Sequence, residues 1–403
     1  MSAALLYHAF GMKGYEYEST QFVEGKMFVW VSPQRDTWRC SACGSAKVIG
    51  HGHHVRPIRS LPIGSKAVWL MVRVPRVACA ACGKTRRIQL EGVRPRHRTT
   101  RAFERYVIEL SRLTTFQGVA RHLGISWDMV KDIQKRHLGR HYARPKLKHL
   151  RRLAIDELHI GRGGYLTLLL DLDSGRVVFV GHGKGAAALG PFWKRLRASH
   201  ARIQAVAMDM NYGYINAVTQ HLPKAAIVFD RFHIVKLFNE KLSDLRRALH
   251  REATDKLHKS VLKGTRWLLL KNPEHLNDRR QERQRLEQAL RMNAPLATAY
   301  YLKEDLRQLW EQGTKSAARR FLQGWMHRAE SSGIRIVQKF AKTLAAFRSG
   351  ILAWYDHPIS TGALEGTNNK IRTMQRQAYG YRDLEFFILK TYALHETTYA
   401  LIG

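Results

Sequence analysis

Three acidic residues, Asp156, Asp209 and Glu365, are isolated carboxylates in a strongly basic chain. Each falls at the end of a predicted strand or in the first turn of a predicted helix, where a metal-dependent nuclease needs an oxygen ligand. Two Mg²⁺ ions held by such carboxylates activate the attacking oxygen and stabilise the leaving oxygen of a phosphodiester. We therefore predict that these acids bind two Mg²⁺ ions, for which Mn²⁺ can substitute, and that they act on DNA.

The excess of positive charge defines the class of partner. The 403 residues include 68 Lys and Arg against 32 Asp and Glu, a formal net charge of +36. Such a surface favours a polyanion, and neutralisation of phosphates with release of counterions is the usual source of affinity. The longest apolar runs, such as 165–170, are far too short to span a bilayer, and the first ten residues lack the basic start of a signal peptide. We expect a cytoplasmic, nucleoid-associated protein that binds double-stranded DNA.

The pattern of strands and helices explains how two of the acids meet. Apolar runs and turn residues predict strands at 153–156, 165–172, 177–181, 203–208 and 225–229, with helices at 190–199 and 214–222. Three antiparallel strands followed by helix, strand, helix and strand is the order of an RNase H-like fold. The first and fourth strands of that fold are neighbours, so Asp156 and Asp209 are expected to point at one spot. Strand alternation sends Glu157 to the opposite face.

Glu365 lies on a predicted helix near the end of the chain. Capping hydroxyls precede it, and the stretch 359–372 continues with amphipathic spacing. An acid is favoured near a helix N-terminus in any case, so helix capping and catalysis both remain open for Glu365. The polar residues that follow favour a functional surface. We predict DNA contacts there for Asn368, Lys370 and Arg372.

All four cysteines occur in two matched CxxC pairs, each followed by glycine: Cys40 with Cys43, and Cys79 with Cys82. Two such knuckles supply four thiolates to a tetrahedral Zn²⁺ and leave no coordination position for catalysis. We predict one structural Zn²⁺ in a zinc ribbon. Two disulfides are the alternative, which a reducing cytoplasm disfavours. The intervening histidines offer further ligands or form a solvated basic loop: His51, His53 and His54.

The stretch 116–133 has the pattern of a helix-turn-helix. Gly124 stands at the turn, and Ser126 precedes the second helix as its cap. In this arrangement the second helix faces a DNA major groove with Trp127, Lys131 and Lys135. A plain helical hairpin is the alternative interpretation.

The long separation of Asp209 from Glu365 indicates an insertion. Residues 252–350 are rich in Arg, Lys, Glu, Gln and Leu and are predicted to form a helical insertion in the catalytic core. Trp310 and Trp325 are assigned to packing within it. For Trp267, at the start of an apolar run, packing in an amphipathic helix is one interpretation.

Together these motifs resemble the bacterial insertion-sequence transposases of the ISL3 family. The two knuckles, the helix-turn-helix and four segments carry the resemblance over essentially the whole chain: those that begin at Ala154, Ala205, Val228 and Gly362. It implies a DDE transposase whose acidic triad is Asp156, Asp209 and Glu365. It also implies that Asp230 and His233 match a D-x-x-H element that follows the second acid in related transposases, although Asp230 can equally be a helix cap.

The resemblance also implies an activity. Such an enzyme cuts DNA at terminal inverted repeats and joins the freed 3′-hydroxyls to target DNA, and bringing two ends together calls for a homodimer on DNA. Arg266 and Trp267 resemble a pair that stacks on an extruded base in DDE enzymes with helical insertions, where stacking contributes ~1–3 kcal/mol per base. Two other functions are considered: a DNA-binding regulator with structural acids, and a metal-dependent nuclease without strand transfer.

The predicted architecture is multidomain α/β, with an RNase H-like core interrupted by an all-helical insertion. The predicted segments are a zinc ribbon at 1–93, a helix-turn-helix at 94–148, the first part of the core at 149–251, the insertion at 252–350, and the second part of the core with Glu365 at 351–403.

Overall fold

The computed structural model describes residues 3–161 and 164–395. These residues form two compact units, one of residues 3–143 and 373–393 and the other of residues 144–372 and 394–395. Residues 396–403, the end of the predicted core segment 351–403, lie outside the described residues. Within the described part of the chain, no helix is long and apolar enough to cross a membrane.

The first unit begins with a helix and a twisted sheet. Its elements are α1 (Ala3–Phe10), β1 (Tyr15–Val23), β2 (Lys26–Pro33), β3 (Val48–Ile63), β4 (Lys66–Cys79) and β5 (Thr85–Arg87). The strand order is β1-β2-β4-β3, and β5 pairs with the far end of β4. Along β4, alternate side chains point into the core, so Val68, Leu70 and Val72 are fully buried. The two CxxC pairs lie at the end of this sheet.

Three helices follow in the same unit: α2 (Arg101–Leu110), α3 (Phe116–Leu123) and α4 (Trp127–His141). The hydroxyl of Thr115 accepts from the N–H of Gly118 at 3.1 Å and caps α3. The hydroxyl of Ser126 accepts from the N–H of Met129 at 3.2 Å and caps α4. Between them Gly124 has φ +60°, a left-handed conformation that glycine adopts without strain. The predicted helix-turn-helix is confirmed.

The second unit contains the sheet that carries two of the acids. Its first elements are β6 (Arg152–His159), β7 (Tyr165–Asp171), β8 (Val177–His182), α5 (Gly190–Ser199), β9 (Ala205–Met208), α6 (Tyr212–His221), β10 (Ala226–Phe229) and α7 (Arg231–Glu252). The strand order is β10-β9-β6-β7-β8. Strands β6, β7 and β8 are antiparallel neighbours, whereas β9 runs parallel to β6 and to β10. This is the predicted RNase H-like topology.

The predicted insertion is helical and shares its core with the sheet. The remaining helices are α8 (Lys256–Gly264), α9 (Glu282–Arg291), α10 (Ala294–Arg307), α11 (Lys315–Glu330), α12 (Arg335–Leu352), α13 (Gly362–Gln377) and α14 (Leu384–Ala393). One continuous cluster of buried side chains joins Val206 of the sheet to Leu322 and Phe340 of the insertion. Helix α12 also passes so close to β10 that a Cβ at Gly350 would overlap the ring of Phe229.

Helix α14, at the end of the described chain, returns to the first unit. Phe386, Leu389 and Ala393 belong to the same buried cluster as Val119 and Val130 of the helix-turn-helix. The ring of Phe386 lies 5.9 Å from that of Phe116, between centroids. The helix-turn-helix is therefore completed by a segment from the opposite end of the sequence.

Candidate functional site

The four cysteine sulfurs converge at the end of the ribbon sheet. All lie within 4.8 Å of one another, and the Sγ atoms of Cys40 and Cys82 are 3.7 Å apart, those of Cys43 and Cys79 3.6 Å. A tetrahedral zinc site with Zn–S bonds of about 2.3 Å has sulfurs about 3.8 Å apart. The spacing therefore fits a single structural Zn²⁺, and the two CxxC pairs form one site.

The knuckle turns place backbone N–H groups near the sulfurs. Gly44 and Gly83, with φ +76° and +67°, close the turns by donating to the carbonyls of Cys40 and Cys79. The N–H of Ala42 lies 3.4 Å from the Cys40 sulfur and, with the N–H of Cys43 and the neighbouring thiols, lowers the pKa of Cys40 to about 6. His51, His53 and His54 are exposed, and no histidine belongs to the sulfur cluster among the described residues.

Strand register brings Asp156 and Asp209 side by side. Strands β6 and β9 are parallel and pair Leu153 with Val206 and Ala154 with Ala207. Asp156 follows the last of these pairs by two residues on β6, and Asp209 follows it by two residues, directly after the end of β9. Neighbouring strands lie ~4.8 Å apart, so continuing this register brings the two acids close together. The sequence prediction that these two carboxylates meet is thus supported by the strand pairing.

The pKa values of Asp156 and Asp209 depend on burial and on neighbouring charges. Burial raises the pKa of Asp156 and of Asp209, and the charge of His233 acts on both in the opposite direction. The Glu157 carboxylate also raises both pKa values, although it faces away and accepts a hydrogen bond of 2.7 Å from the Tyr214 hydroxyl. A concentration of partly buried negative charge of this kind favours a bound cation.

Helix α13 docks against Asp156 through a residue one turn after Glu365. The side-chain amide of Asn368 donates to Asp156 Oδ2 at 2.8 Å, and Asn368 is only 2% exposed. Residues three apart on a helix are neighbours, about 5–6 Å between Cβ atoms, so Glu365 lies close to this contact. Glu365 itself is exposed. Among the described residues, the four cysteines form the only close cluster of potential metal ligands, so the Glu365 carboxylate does not form a tight cluster with Asp156 and Asp209.

Asp230 lies directly after β10 and connects the start of α7 to the start of α13. It caps α7 by accepting from the N–H of Phe232 at 2.7 Å, and its other oxygen accepts from the N–H of Thr361 at 2.8 Å. His233 lies beside it, with 3.6 Å between Nδ1 and Oδ1. The hydrogen bond with Asp230 is the main cause that raises the pKa of His233, and the charges of Asp156 and Asp209 raise it further. The helix-cap interpretation of Asp230 is confirmed, and the cap is also a tertiary contact.

Three family models match this chain in order along the sequence. A zinc-finger model of the transposases of IS204, IS1001, IS1096 and IS1165 matches residues 36–82, a helix-turn-helix model of the ISL3 transposase family matches residues 88–138, and the ISL3 DDE transposase model matches residues 153–391. The chain belongs to the ISL3 family of DDE transposases.

Two curated relatives of this ISL3 transposase are named as transposases of insertion sequence elements. It is 33% identical to the transposase for insertion sequence element IS1001 of Bordetella parapertussis, over 94% of this chain and 95% of that protein. It is 31% identical to the transposase for insertion sequence element IS1557 of Mycobacterium tuberculosis, over 89% of this chain and 87% of that protein. Among solved structures, a Drosophila P element transposase strand transfer complex aligns with a TM-score of 0.36 and 13% identity, over 64% of this chain and 79% of that one.

A cleft of about 550 Å³ opens beside Glu365 in the transposase. Its walls come from the start of α7, the start of α13 and the insertion, and they include Asp230, Arg231, Asn272, Arg307 and Glu365. Lys370 and Arg372 are exposed further along α13, as side chains that contact DNA must be. Asn368 differs from that prediction, because the packing of α13 on β6 buries its side chain and directs it to Asp156.

Two lysines of the predicted recognition helix α4 of the transposase form ion pairs with acidic residues of the protein itself. Lys131 Nζ lies 3.0 Å from Asp383 Oδ2, and Lys135 Nζ lies 3.1 Å from the same atom and 2.7 Å from Glu385 Oε2. Both acids belong to the segment that forms α14, so the sequence pattern of α4 alone carries no sign of them. Trp127 remains 45% exposed at the start of α4.

Trp267 is not a core residue of the transposase. It is 64% exposed, and the Arg266 guanidinium lies 4.6 Å from the centroid of its ring. The polypeptide leaves α8 at Gly264, so Trp267 stands on the irregular segment after that helix and not on an amphipathic face. By contrast Trp310 and Trp325 are buried at 7% and 0%, which confirms their predicted packing role.

Proposed function

We propose that this transposase cuts DNA at the terminal inverted repeats of an insertion sequence and joins the freed 3′-hydroxyls to target DNA. Asp156, Asp209 and Glu365 are the catalytic acids of this proposal. The observation that supports it is the hydrogen bond from Asn368 of α13 to Asp156, because Glu365 lies one helical turn before Asn368 on the same helix. The names of the curated relatives support insertion-sequence ends as the substrate.

The donor set fits Mg²⁺, which prefers oxygen ligands and is commonly held by one or two carboxylates and substrate phosphates. When bound, two such ions activate the attacking oxygen and neutralise charge on the leaving one. Asp156 and Asp209 supply partly buried carboxylates, and burial is the main cause of their raised pKa values. Glu365 completes the set from the exposed side, where DNA enters. Mn²⁺ meets the same requirements as Mg²⁺ and can substitute for it.

Other residues prepare these acids for the reaction. Asp230 fixes the start of α13 through Thr361, and the interaction with His233 lowers the pKa of Asp156 and of Asp209. In the proposal, the zinc ribbon and helix-turn-helix select the ends, Lys370 and Arg372 hold phosphates, and the Arg266–Trp267 platform stacks on a base. Two transposase copies on DNA bring the two ends together in the bacterial cytoplasm.

The test uses the full-length protein with DNA that carries the ends of its own element. Asp156→Asn, Asp209→Asn and Glu365→Gln are expected to abolish Mg²⁺-dependent cleavage while end binding persists. Asp173→Asn is the matched control, because Asp173 pairs with Arg152 on a hairpin outside the acid pair. Cleavage by all three variants at the control rate would refute the assignment of the acids.

A second assay separates strand transfer from cleavage. Pre-cut ends with free 3′-hydroxyls are incubated with target plasmid and Mg²⁺, and joined products are scored. The proposal expects joining by the parent protein and none by the acid variants. Cleavage without joining would leave a nuclease, and binding without either product would leave a DNA-binding regulator.

A further inference from the structure

Asp156 is held at both of its carboxylate oxygens. Oδ1 accepts from the N–H of Glu157 at 2.7 Å, and Oδ2 accepts from the side-chain amide of Asn368 at 2.8 Å. The first contact is local and comes with the strand. The second joins residues 212 positions apart in sequence, so it forms only when α13 docks on β6.

Among the described residues, the amide oxygen of the Asn368 side chain has no hydrogen-bond partner. Its Oδ1 atom is buried and accepts no hydrogen bond within the described part of the structure. Buried polar atoms are almost always paired, and an orphan of this kind calls for an explanation such as an ion or a water. A neutral amide oxygen is also a ligand type that divalent cations accept.

We propose that Asn368 is a positioning residue of the metal site, which orients Asp156 through its N–H and adds its free oxygen to the cation-binding surface. An asparagine suits both tasks, since one amide carries a donor and an acceptor without adding negative charge beside Asp156. Neighbouring groups that hold a metal ligand in place commonly change metal affinity by 10–100-fold when removed. The inference rests on the proposed binding of a divalent cation by Asp156.

The chain offers a matched control at the next position. Asn369 has the same side chain on the same helix, but it is exposed and accepts a hydrogen bond of 3.3 Å from Arg372. A general effect of losing an amide from α13 would appear in Asn369→Ala. An effect on Asp156 would appear only at position 368.

The test measures Mn²⁺ binding to the zinc-loaded, full-length protein by electron paramagnetic resonance, without DNA. Asn368→Leu keeps the size of the side chain and removes both polar atoms, and Asn368→Ala is the second variant. Both are expected to bind Mn²⁺ about tenfold more weakly than the parent, while Asn369→Ala binds as the parent does. In cleavage assays, both position-368 variants should need about tenfold more Mg²⁺ and approach the parental rate at saturation.

Asp156→Ala separates the two levels of the proposal. If Asp156→Ala weakens Mn²⁺ binding and Asn368→Leu does not, the role of Asn368 is refuted and the metal site stands. If Asp156→Ala also binds Mn²⁺ as the parent does, the proposed function itself fails. Thermal unfolding of each variant identifies loss of fold, and a folded Asn368→Leu protein with parental Mn²⁺ affinity overturns the inference.

Discussion

Asp230 Oδ2 accepts a hydrogen bond of 2.8 Å from the backbone N–H of Thr361, which lies 131 positions later in the sequence. Its other oxygen caps α7, so one buried carboxylate fixes the start of two helices. Helix α13, which begins at Gly362, carries Glu365 in its first turn. The position of the third acid therefore depends on a residue that belongs to a different part of the fold.

Asp230→Ala should impair both stability and cleavage. Loss of a helix cap costs about 1 kcal/mol, and loss of a buried hydrogen bond to a charged group costs about 1.5–3 kcal/mol. We expect unfolding free energies in urea to fall by about 2–4 kcal/mol, and Mg²⁺-dependent cleavage to fall in the protein that remains folded. Asp255→Ala is the control, because Asp255 caps α8 through the N–H of His258 and is exposed. Equal losses in the two variants would contradict a tertiary role for Asp230.

Zinc should be bound by the cysteines alone. We expect one Zn²⁺ per chain by atomic emission, and none after Cys79→Ser, because the remaining thiolates no longer close a tetrahedral shell. A chelator should unfold the ribbon, since zinc binding and folding are coupled. His53→Ala is the control for the exposed histidines and should retain the metal. Zinc loss from His53→Ala would show that the sulfur cluster is incomplete without histidine.

Removing the Asp383 charge should strengthen DNA binding. Asp383 is ion-paired with Lys131 and Lys135, the two lysines for which the sequence predicts DNA contacts. Asp383 also caps α14 by accepting from the N–H of Phe386 at 3.0 Å, and Asp383→Asn keeps this cap, since Asn and Asp cap equally well. An ion pair of ~0.2–1 kcal/mol corresponds to a gain in affinity of about 1.5- to fivefold. Glu109→Gln is the control, because it removes one negative charge from α2, where Glu109 is paired with Arg112, and so measures the general effect of charge on DNA binding. An equal gain in affinity from both variants would contradict a specific effect of Asp383 on Lys131 and Lys135.

The same ion pairs predict a pH dependence of stability. Burial opposes the shift, but the N–H of Phe386 and the ammonium groups of Lys131 and Lys135 lower the pKa of Asp383 to about 2. An aspartate in an unfolded chain titrates near 3.9. The stabilisation is therefore complete above about pH 4 and is lost as the pH falls through about 2. The difference in unfolding free energy between Asp383→Asn and the parent should be constant from about pH 5 to 8 and should narrow below about pH 4.

The exposed ring of Trp267 predicts a functional effect without a structural one. Trp267→Ala should leave the melting temperature unchanged, whereas Trp325→Ala, in the core, should cost about 3–5 kcal/mol. If the ring stacks on a base, binding of an end with an unpaired base should weaken by ~1–3 kcal/mol, or about 5- to 150-fold. Fluorescence of 2-aminopurine at that base provides the measurement. Parental quenching in Trp267→Ala would exclude stacking.

Local patterns in the sequence were sufficient for the succession of strands and helices along the catalytic core, the zinc knuckles and the helix-turn-helix. Each depends on alternation, helical spacing or caps within a few residues, as for Ser126 and Gly124. The prediction that Asp156 and Asp209 lie close together came from the likeness of this succession to an RNase H-like fold, in which the first and fourth strands are neighbours.

Contacts between distant segments were beyond such patterns. The bond from Asn368 to Asp156 and the pairing of Lys135 with Asp383 span 212 and 248 positions. Both contacts depend on which elements α13 and α14 pack against. That packing is determined by the complementary shapes of the buried surfaces of whole helices. The exposure of Trp267 depends on where α8 ends, which the spacing of apolar residues left open.

The continuous core shared by the catalytic sheet and the inserted helices limits which segments can be exchanged between related transposases. Phe340 of α12 packs on Phe238 of α7, with 4.6 Å between ring centroids, and Gly350 leaves room for Phe229. A relative's insertion could replace this one only if such partners on the sheet side changed with it. The smallest exchangeable piece of this enzyme is thus the sheet together with its insertion, and recombination within residues 252–350 would produce chimaeras with mismatched interiors.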